Sequence, residues 1–135
     1  MQAFIISLDN RPGTLADLGE ALGQRAINIT GIAGTTWEGN GAAAIVTNDD
    51  AGTRAALDEG GLAYREVDIV SAGLEDRPGS LGEAARRLAD KGVNIELILP
   101  TGMQGSRITV AFGVDDAERA REALGELAAT GSQAV

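Results

Sequence analysis

The stretch Leu8-Asp9-Asn10-Arg11-Pro12-Gly13-Thr14-Leu15 decides the fold, because it occurs twice. It returns 66 residues later, Arg11 becoming Arg77, as Leu74-Glu75-Asp76-Arg77-Pro78-Gly79-Ser80-Leu81. At the same offset Ala26-Ile27-Asn28-Ile29 returns as Gly92-Val93-Asn94-Ile95, and Asp49-Asp50-Ala51 as Asp115-Asp116-Ala117. Three matches in one register mark an internal repeat, each copy being one supersecondary unit. The 135 residues then divide into copies at 1–67 and 68–135. A unit of about 65 residues is marginal on surface-to-volume grounds, so each copy needs the other, a partner chain, or both.

Outward from the quoted stretch, each copy reads strand, helix, strand, strand, helix, strand. Phe4, Ile6 and Leu8 alternate with Ala3, Ile5 and Ser7 as in a half-buried strand, and Val70, Ala72 and Leu74 repeat that face. Pro12 and Pro78 suit a helix start, where a missing N–H costs nothing, with Asn10 or Asp76 upstream as its cap. Leu15, Leu18 and Leu22 follow at helical spacing, answered by Leu81, Ala84 and Leu88, and Gly92 ends the second helix. Gly39-Asn40-Gly41 and the stretch from Gly102 to Gly105 supply hairpin turns. Asp50 and Asp116 open the last helices, where acidic residues favour the positive end of the dipole. A final strand from Leu62 to Val67 runs into the second copy, whose own last strand falls near Ser132 to Val135.

That order is the split β-α-β, ferredoxin-like α+β fold. The expectation is two βαββαβ units with antiparallel sheets paired edge to edge and helices on one face. Ile5, Ile32 and Ile98 are assigned to the opposite sheet face, where a homodimer would bury them. Trp37 is expected to pack on the sheet rim.

Composition excludes several functions. The chain has no cysteine and no histidine, which removes disulfides, thiolate nucleophiles, His bases and Cys/His metal sites. A net charge of −9 repels phosphate backbones, and 3% aromatics leave few stacking platforms, so no nucleic-acid partner is expected. The run from Phe4 to Leu8 is too short for a signal core, and no stretch approaches the roughly 20 apolar residues of a membrane span. A cytoplasmic protein without membrane partner, metal or cofactor is expected.

Asp9-Asn10-Arg11-Pro12-Gly13-Thr14-Leu15 followed by Ile27-Asn28-Ile29, with their second copies, resembles the ACT domain, a small-molecule sensor of amino-acid metabolism. The resemblance covers the chain twice and implies a tandem ACT protein. It implies that an amino acid is held between paired units, by the loop before the first helix and the start of a neighbour's second strand. The candidate ligand-binding residues are then Asn10, Arg11, Pro12, Gly13, Asn28 and Ile29, and in copy two Asp76, Arg77, Pro78, Gly79, Asn94 and Ile95. A small neutral L-amino acid is expected where the Asn10 loop faces Asn94, with a weaker twin where the Asp76 loop faces Asn28. Asp76 stands where copy one has Asn10 and repels a carboxylate unless Arg77 compensates.

Local explanations compete. Pro12-Gly13 and Pro78-Gly79 also suit turn and helix-start chemistry alone. Asn28 and Asn94 also suit a solvated face, and Arg11 and Arg77 a surface role. Three function classes follow. The first is a regulatory module without its own catalytic domain, serving a metabolic enzyme or regulator. The second is a structural or oligomerisation module with no functional pocket, which Asp76 favours. The third is an enzyme, which is set aside because no nucleophile and base can be assembled around the single lysine, Lys91.

Overall fold

The structure, a computed structural model, describes residues 1–128. The chain forms two compact units, Met1–Glu66 and Val67–Val135. The first contains β1 (Gln2–Leu8), α1 (Thr14–Gln24), β2 (Ile29–Trp37), β3 (Asn40–Thr47) and α2 (Asp50–Glu59). Next comes β4 (Tyr64–Glu75), a single strand that closes the first repeat and opens the second. The second unit continues with α3 (Ser80–Asp90), β5 (Ile95–Gln104), β6 (Arg107–Val114) and α4 (Ala117–Leu124). The expected strand near Ser132 to Val135 lies outside the described residues. What occupies that place before them is an antiparallel bridge between Ala72 and Ala128.

The first unit realises the βαββαβ order, and the second realises βαββα followed by the bridge at Ala128, with antiparallel neighbours. In the first, β3 lies between β2 and β1, Phe4 facing Ile45 and Ile45 facing Ile32, while Ser7 N–H donates to Ala63 at 2.9 Å on the other side of β1. In the second, β6 lies between β4 and β5, with Val70 opposite Phe112 and Phe112 opposite Ile98. Each unit's two helices cover one sheet face. Leu18 and Leu22 of α1 and Leu57 of α2 meet Phe4, Ile6 and Ile45. Leu88 of α3 and Leu124 of α4 meet Val70, Leu74 and Phe112. Each such buried side chain contributes about 1.5–3 kcal/mol.

Cross-strand partners share a face. Ile32 and Ile98 therefore belong to the helix-covered face, since they pair with the core residues Ile45 and Phe112; only Ile5, opposite Ala44, keeps its expected place on the other side. Trp37 is 75% exposed instead of packed on the rim.

The repeat is not gapless. Asn28 and Asn94 are 66 apart, but the backbone N–H of Asn28 donates to Asn48 Oδ1 and that of Asn94 to Asp115 Oδ1, a pair 67 apart. The caps agree: Asp49 accepts from Gly52 N–H in α2 and Asp116 from Arg119 N–H in α4. The match of Asp49-Asp50-Ala51 with Asp115-Asp116-Ala117 is thus one residue out of structural register. The extra residue lies in β5, which bulges between Pro100 and Gly102 as well as near its start, whereas β2 bulges only near its start. Gly102 belongs to that bulge, and the hairpin turn is confined to Gly105-Ser106.

Candidate functional site: the loop and groove beside the first helix

Neither Asn10 nor Asp76 caps a helix. The N-cap positions of α1 and α3 are Gly13 and Gly79, with φ of 96° and 89° and no side-chain cap bond. A side chain at either would meet open space, so these glycines are required by the left-handed backbone and not by crowding. The loop is tied down locally. Thr14 Oγ1 donates to the carbonyls of Asp9 at 3.0 Å and Arg11 at 3.3 Å. Without a side-chain cap, the first-turn N–H groups of α1 remain suited to an anion.

In the first unit this loop overhangs a groove of about 600 Å³. Its floor is the helix-covered face of the sheet: Leu8, Ile32, Gly34, Thr36, Gly41 and Ala43. Gly41 is there for a steric reason, since a Cβ on it would come within 2.6 Å of the Leu8 carbonyl oxygen. Asp9, Asn10, Arg11 and Leu15 form the rim. Arg11 and Asp9 stand 3.8 Å apart, giving the rim both signs of charge beside apolar Leu15 and Ile32. Arg11, Asp9 and Thr14 also border a second cavity of about 490 Å³ between α1 and the end of α2.

The second unit repeats the groove with different contents. It measures about 340 Å³, under the loop of Glu75, Asp76 and Arg77. Arg77 is held by Glu75 at 2.9 Å and Glu83 at 2.7 Å, and it donates to the Pro78 carbonyl at 3.3 Å. Those bonds, Glu83 foremost, hold the Arg77 guanidinium well above its ordinary range and the Glu83 carboxyl below its own.

The structure brings Asn10 and Arg11 to the first groove, and Asp76 and Arg77 to the second. Pro12, Gly13, Pro78 and Gly79 shape the two loops. Asn28 and Asn94 do not join these residues within their own units. Leu8 and Thr36 both face Gly41, whereas Asn28 precedes Ile29 at the far end of β2, about 26 Å away at about 3.3 Å per residue. Both asparagines are exposed, with backbones engaged by Asn48 and Asp115. Ile29 and Ile95 are half-buried and pack against the unit cores. The groove floor was missed from the sequence. The sequence shows only that Leu15 and Ile32 recur as Leu81 and Ile98; the structure shows them exposed, by 54% and 43% in the first copy and 49% and 40% in the second. The same apolar positions are left open in both copies.

Among the described residues no group of acidic side chains is placed to hold a metal ion, and no helix is long and apolar enough to cross a membrane.

The family profile described as an ACT domain pair matches residues 1–128. The chain belongs to the ACT domain family. Among solved structures, this ACT pair is similar to a Bacteroides thetaiotaomicron protein, at 22% identity over 93% of this chain and 86% of that one, with a TM-score of 0.78. It is similar to the regulatory subunit of aspartate kinase from Thermus thermophilus, at 22% identity over 93% and 90%, with a TM-score of 0.66. The regulatory subunit of aspartate kinase from Thermus flavus is alike at 24% identity over 93% and 90%, with a TM-score of 0.64. At these identities the likeness is one of fold. No curated protein matches the chain.

Proposed function

We propose that this ACT pair is a regulatory module, which binds a small neutral L-amino acid and passes that signal to a metabolic enzyme or regulator. The observation that carries the reading is the first groove, where a cation, an anion and an apolar floor converge on one space. A zwitterion needs both charges, and its side chain needs the floor. The fold shared with regulatory subunits of aspartate kinase supports the regulatory half of the reading. Asn28 and Asn94, standing far from the loops of their own units, contribute to a ligand only from a neighbouring ACT unit. A homodimer fits a chain of such small units.

A structural module without a functional pocket is the second reading. What favours it is the second loop, where Glu75 and Glu83 already neutralise Arg77 and Asp76 adds a further negative charge.

A thermal-shift screen of the twenty amino acids on the full chain separates the two. A ligand at 100 times its dissociation constant stabilises by about 2.7 kcal/mol, a visible rise in melting temperature. A shift with one or a few neutral amino acids is expected; no shift with any leaves the structural reading.

A further inference from the structure

The two grooves are built from equivalent strands, so their differences can be read position by position. On the floor, Gly34 of β2 is replaced by Pro100 of β5, Gly41 of β3 by Ile108 of β6, and Ala43 by Val110. The first correspondence follows the 66-residue offset and the other two the 67-residue offset that holds after the β5 bulge. The exchanges at Gly34 and Ala43 put the chain's own carbon where the first unit has space, and Ile108 brings a side chain where Gly41 has none, consistent with about 340 Å³ against about 600 Å³. The rims differ in the same sense. Arg11 meets Asp9 at 3.8 Å, whereas Arg77 is bonded to Glu75 and Glu83 at 2.9 and 2.7 Å. A guanidinium already satisfied by two carboxylates has little left for a third. Asn10, which can donate to a carboxylate, becomes Asp76, which cannot when ionised.

We infer that the two units divide their roles: only the groove of the first unit takes an amino acid, one with an aliphatic side chain of about leucine size, while the second unit narrows its own groove with Pro100, Ile108 and Val110 and neutralises its arginine with Glu75 and Glu83. This rests on the amino-acid-binding reading above and adds to it the unit, the side-chain class and the residues that set both. The ligand carboxylate lies at Arg11, its ammonium toward Asp9, and its side chain over Gly34 and Ala43 between Leu15 and Ile32. The repeat is then a receptor unit fused to a copy with a narrowed groove and a neutralised rim.

Gly34 offers a clean test. A Cβ on it meets nothing closer than the Ala42 carbonyl oxygen at 3.8 Å, and its backbone is ordinary extended strand, so larger residues are accommodated without strain. Calorimetry on the full chain with L-leucine, L-isoleucine, L-valine, L-serine and L-aspartate is the measurement. One equivalent of an aliphatic amino acid per chain is expected, with affinity falling in the order wild type, Gly34→Ala, Gly34→Val, and by at least tenfold at valine. Circular dichroism and the melting temperature confirm that the variants are folded. Two equivalents per chain, undiminished binding by Gly34→Val, or a preference for serine or aspartate overturns the division of roles and leaves amino-acid binding standing. No heat with any amino acid of a full panel overturns both.

Discussion

Ala26 ends α1 with φ of 57°, in the place that Gly92 fills with φ of 71° at the end of α3. Both close a Schellman turn. Ile27 N–H donates to Leu22 at 3.0 Å and Ala26 N–H to Gly23 at 3.0 Å; Val93 and Gly92 donate to Leu88 and Ala89, both at 2.9 Å. An alanine held left-handed costs about 1–2 kcal/mol, partly offset because glycine loses about 0.4–1 kcal/mol more entropy on folding. Ala26→Gly is therefore expected to stabilise the chain by about 0.5–1 kcal/mol, and Gly92→Ala to destabilise it by a similar amount. Urea denaturation of the two variants checks both signs.

The Arg87 guanidinium spans the helices of the second unit, donating to the Leu124 carbonyl at 3.0 Å and to Glu126 at 2.7 Å. The hydrogen bond from Arg87 lowers the Glu126 pKa from 4.5 to about 2. A carboxylate whose folded value is depressed stabilises the fold above its unfolded value, and that contribution disappears as pH falls through the folded one. Stability from this pair is thus complete above about pH 4.5 and is lost toward pH 2. Arg87→Ala should raise the Glu126 pKa toward its ordinary range, the backbone hydrogen bond at Glu126 keeping part of the lowering. An NMR acid titration of the Glu126 carboxyl reads the difference directly; because both side chains are largely exposed, added salt narrows it.

Asp49 and Asp116 cap α2 and α4 with nearly the same backbone, φ of −150° and −146°. Replacing either by alanine should cost about 0.5–2 kcal/mol, and by asparagine much less. Gly52→Ala should do comparable harm by another route, since its Cβ would lie 2.3 Å from Asp49 Oδ2 and displace the cap. Thermal unfolding of the four variants Asp49→Ala, Asp116→Ala, Asp49→Asn and Gly52→Ala ranks them.

The repeat, the strand alternation and the close of α3 were legible because each rests on local chemistry: alternation in β1, the leucine spacing of α1, glycine after α3. The starts of α1 and α3 were not, since Gly13 and Gly79 take the cap position expected of Asn10 and Asp76. What the sequence hid depends on register. Asp115-Asp116 follows Asp49-Asp50 at the expected spacing, and nothing in the residues reveals that a bulge at Pro100–Gly102 has moved the structural match by one. The side of Ile32 was misread for the same reason. The bulge between Ile29 and Gly31 reverses the alternation that Ile27 and Ile29 set up. The groove floor was hidden because Gly34, Gly41 and Ala43 carry no functional group, and their meaning appears only beside Pro100, Ile108 and Val110.

Inside the first unit, Thr47 and Thr53 share a hydroxyl hydrogen bond of 2.7 Å while both are essentially inaccessible to water. Thr53 Oγ1 also lies 2.8 Å from the Asp49 carbonyl as donor, and Thr47 Oγ1 accepts from Asp49 N–H at 3.2 Å, so the pair anchors the α2 cap to the end of β3. At the 67-residue offset the second unit has Val114 and Ala120, both buried in its core. Removing one hydroxyl alone takes from the other its buried side-chain partner and leaves it only its bond to the Asp49 backbone, at a cost of about 1–3 kcal/mol. Removing both leaves no unpaired hydroxyl, as in the second unit, so the second loss adds little beyond the bond that Asp49 N–H makes to Thr47. Thr53→Ala is therefore expected to destabilise the chain by about 1–3 kcal/mol, and the double variant Thr47→Val with Thr53→Ala by less than the sum of the two singles. A double-mutant cycle in urea is the measurement. Additive losses would mean that each hydroxyl acts through Asp49 and not through the other.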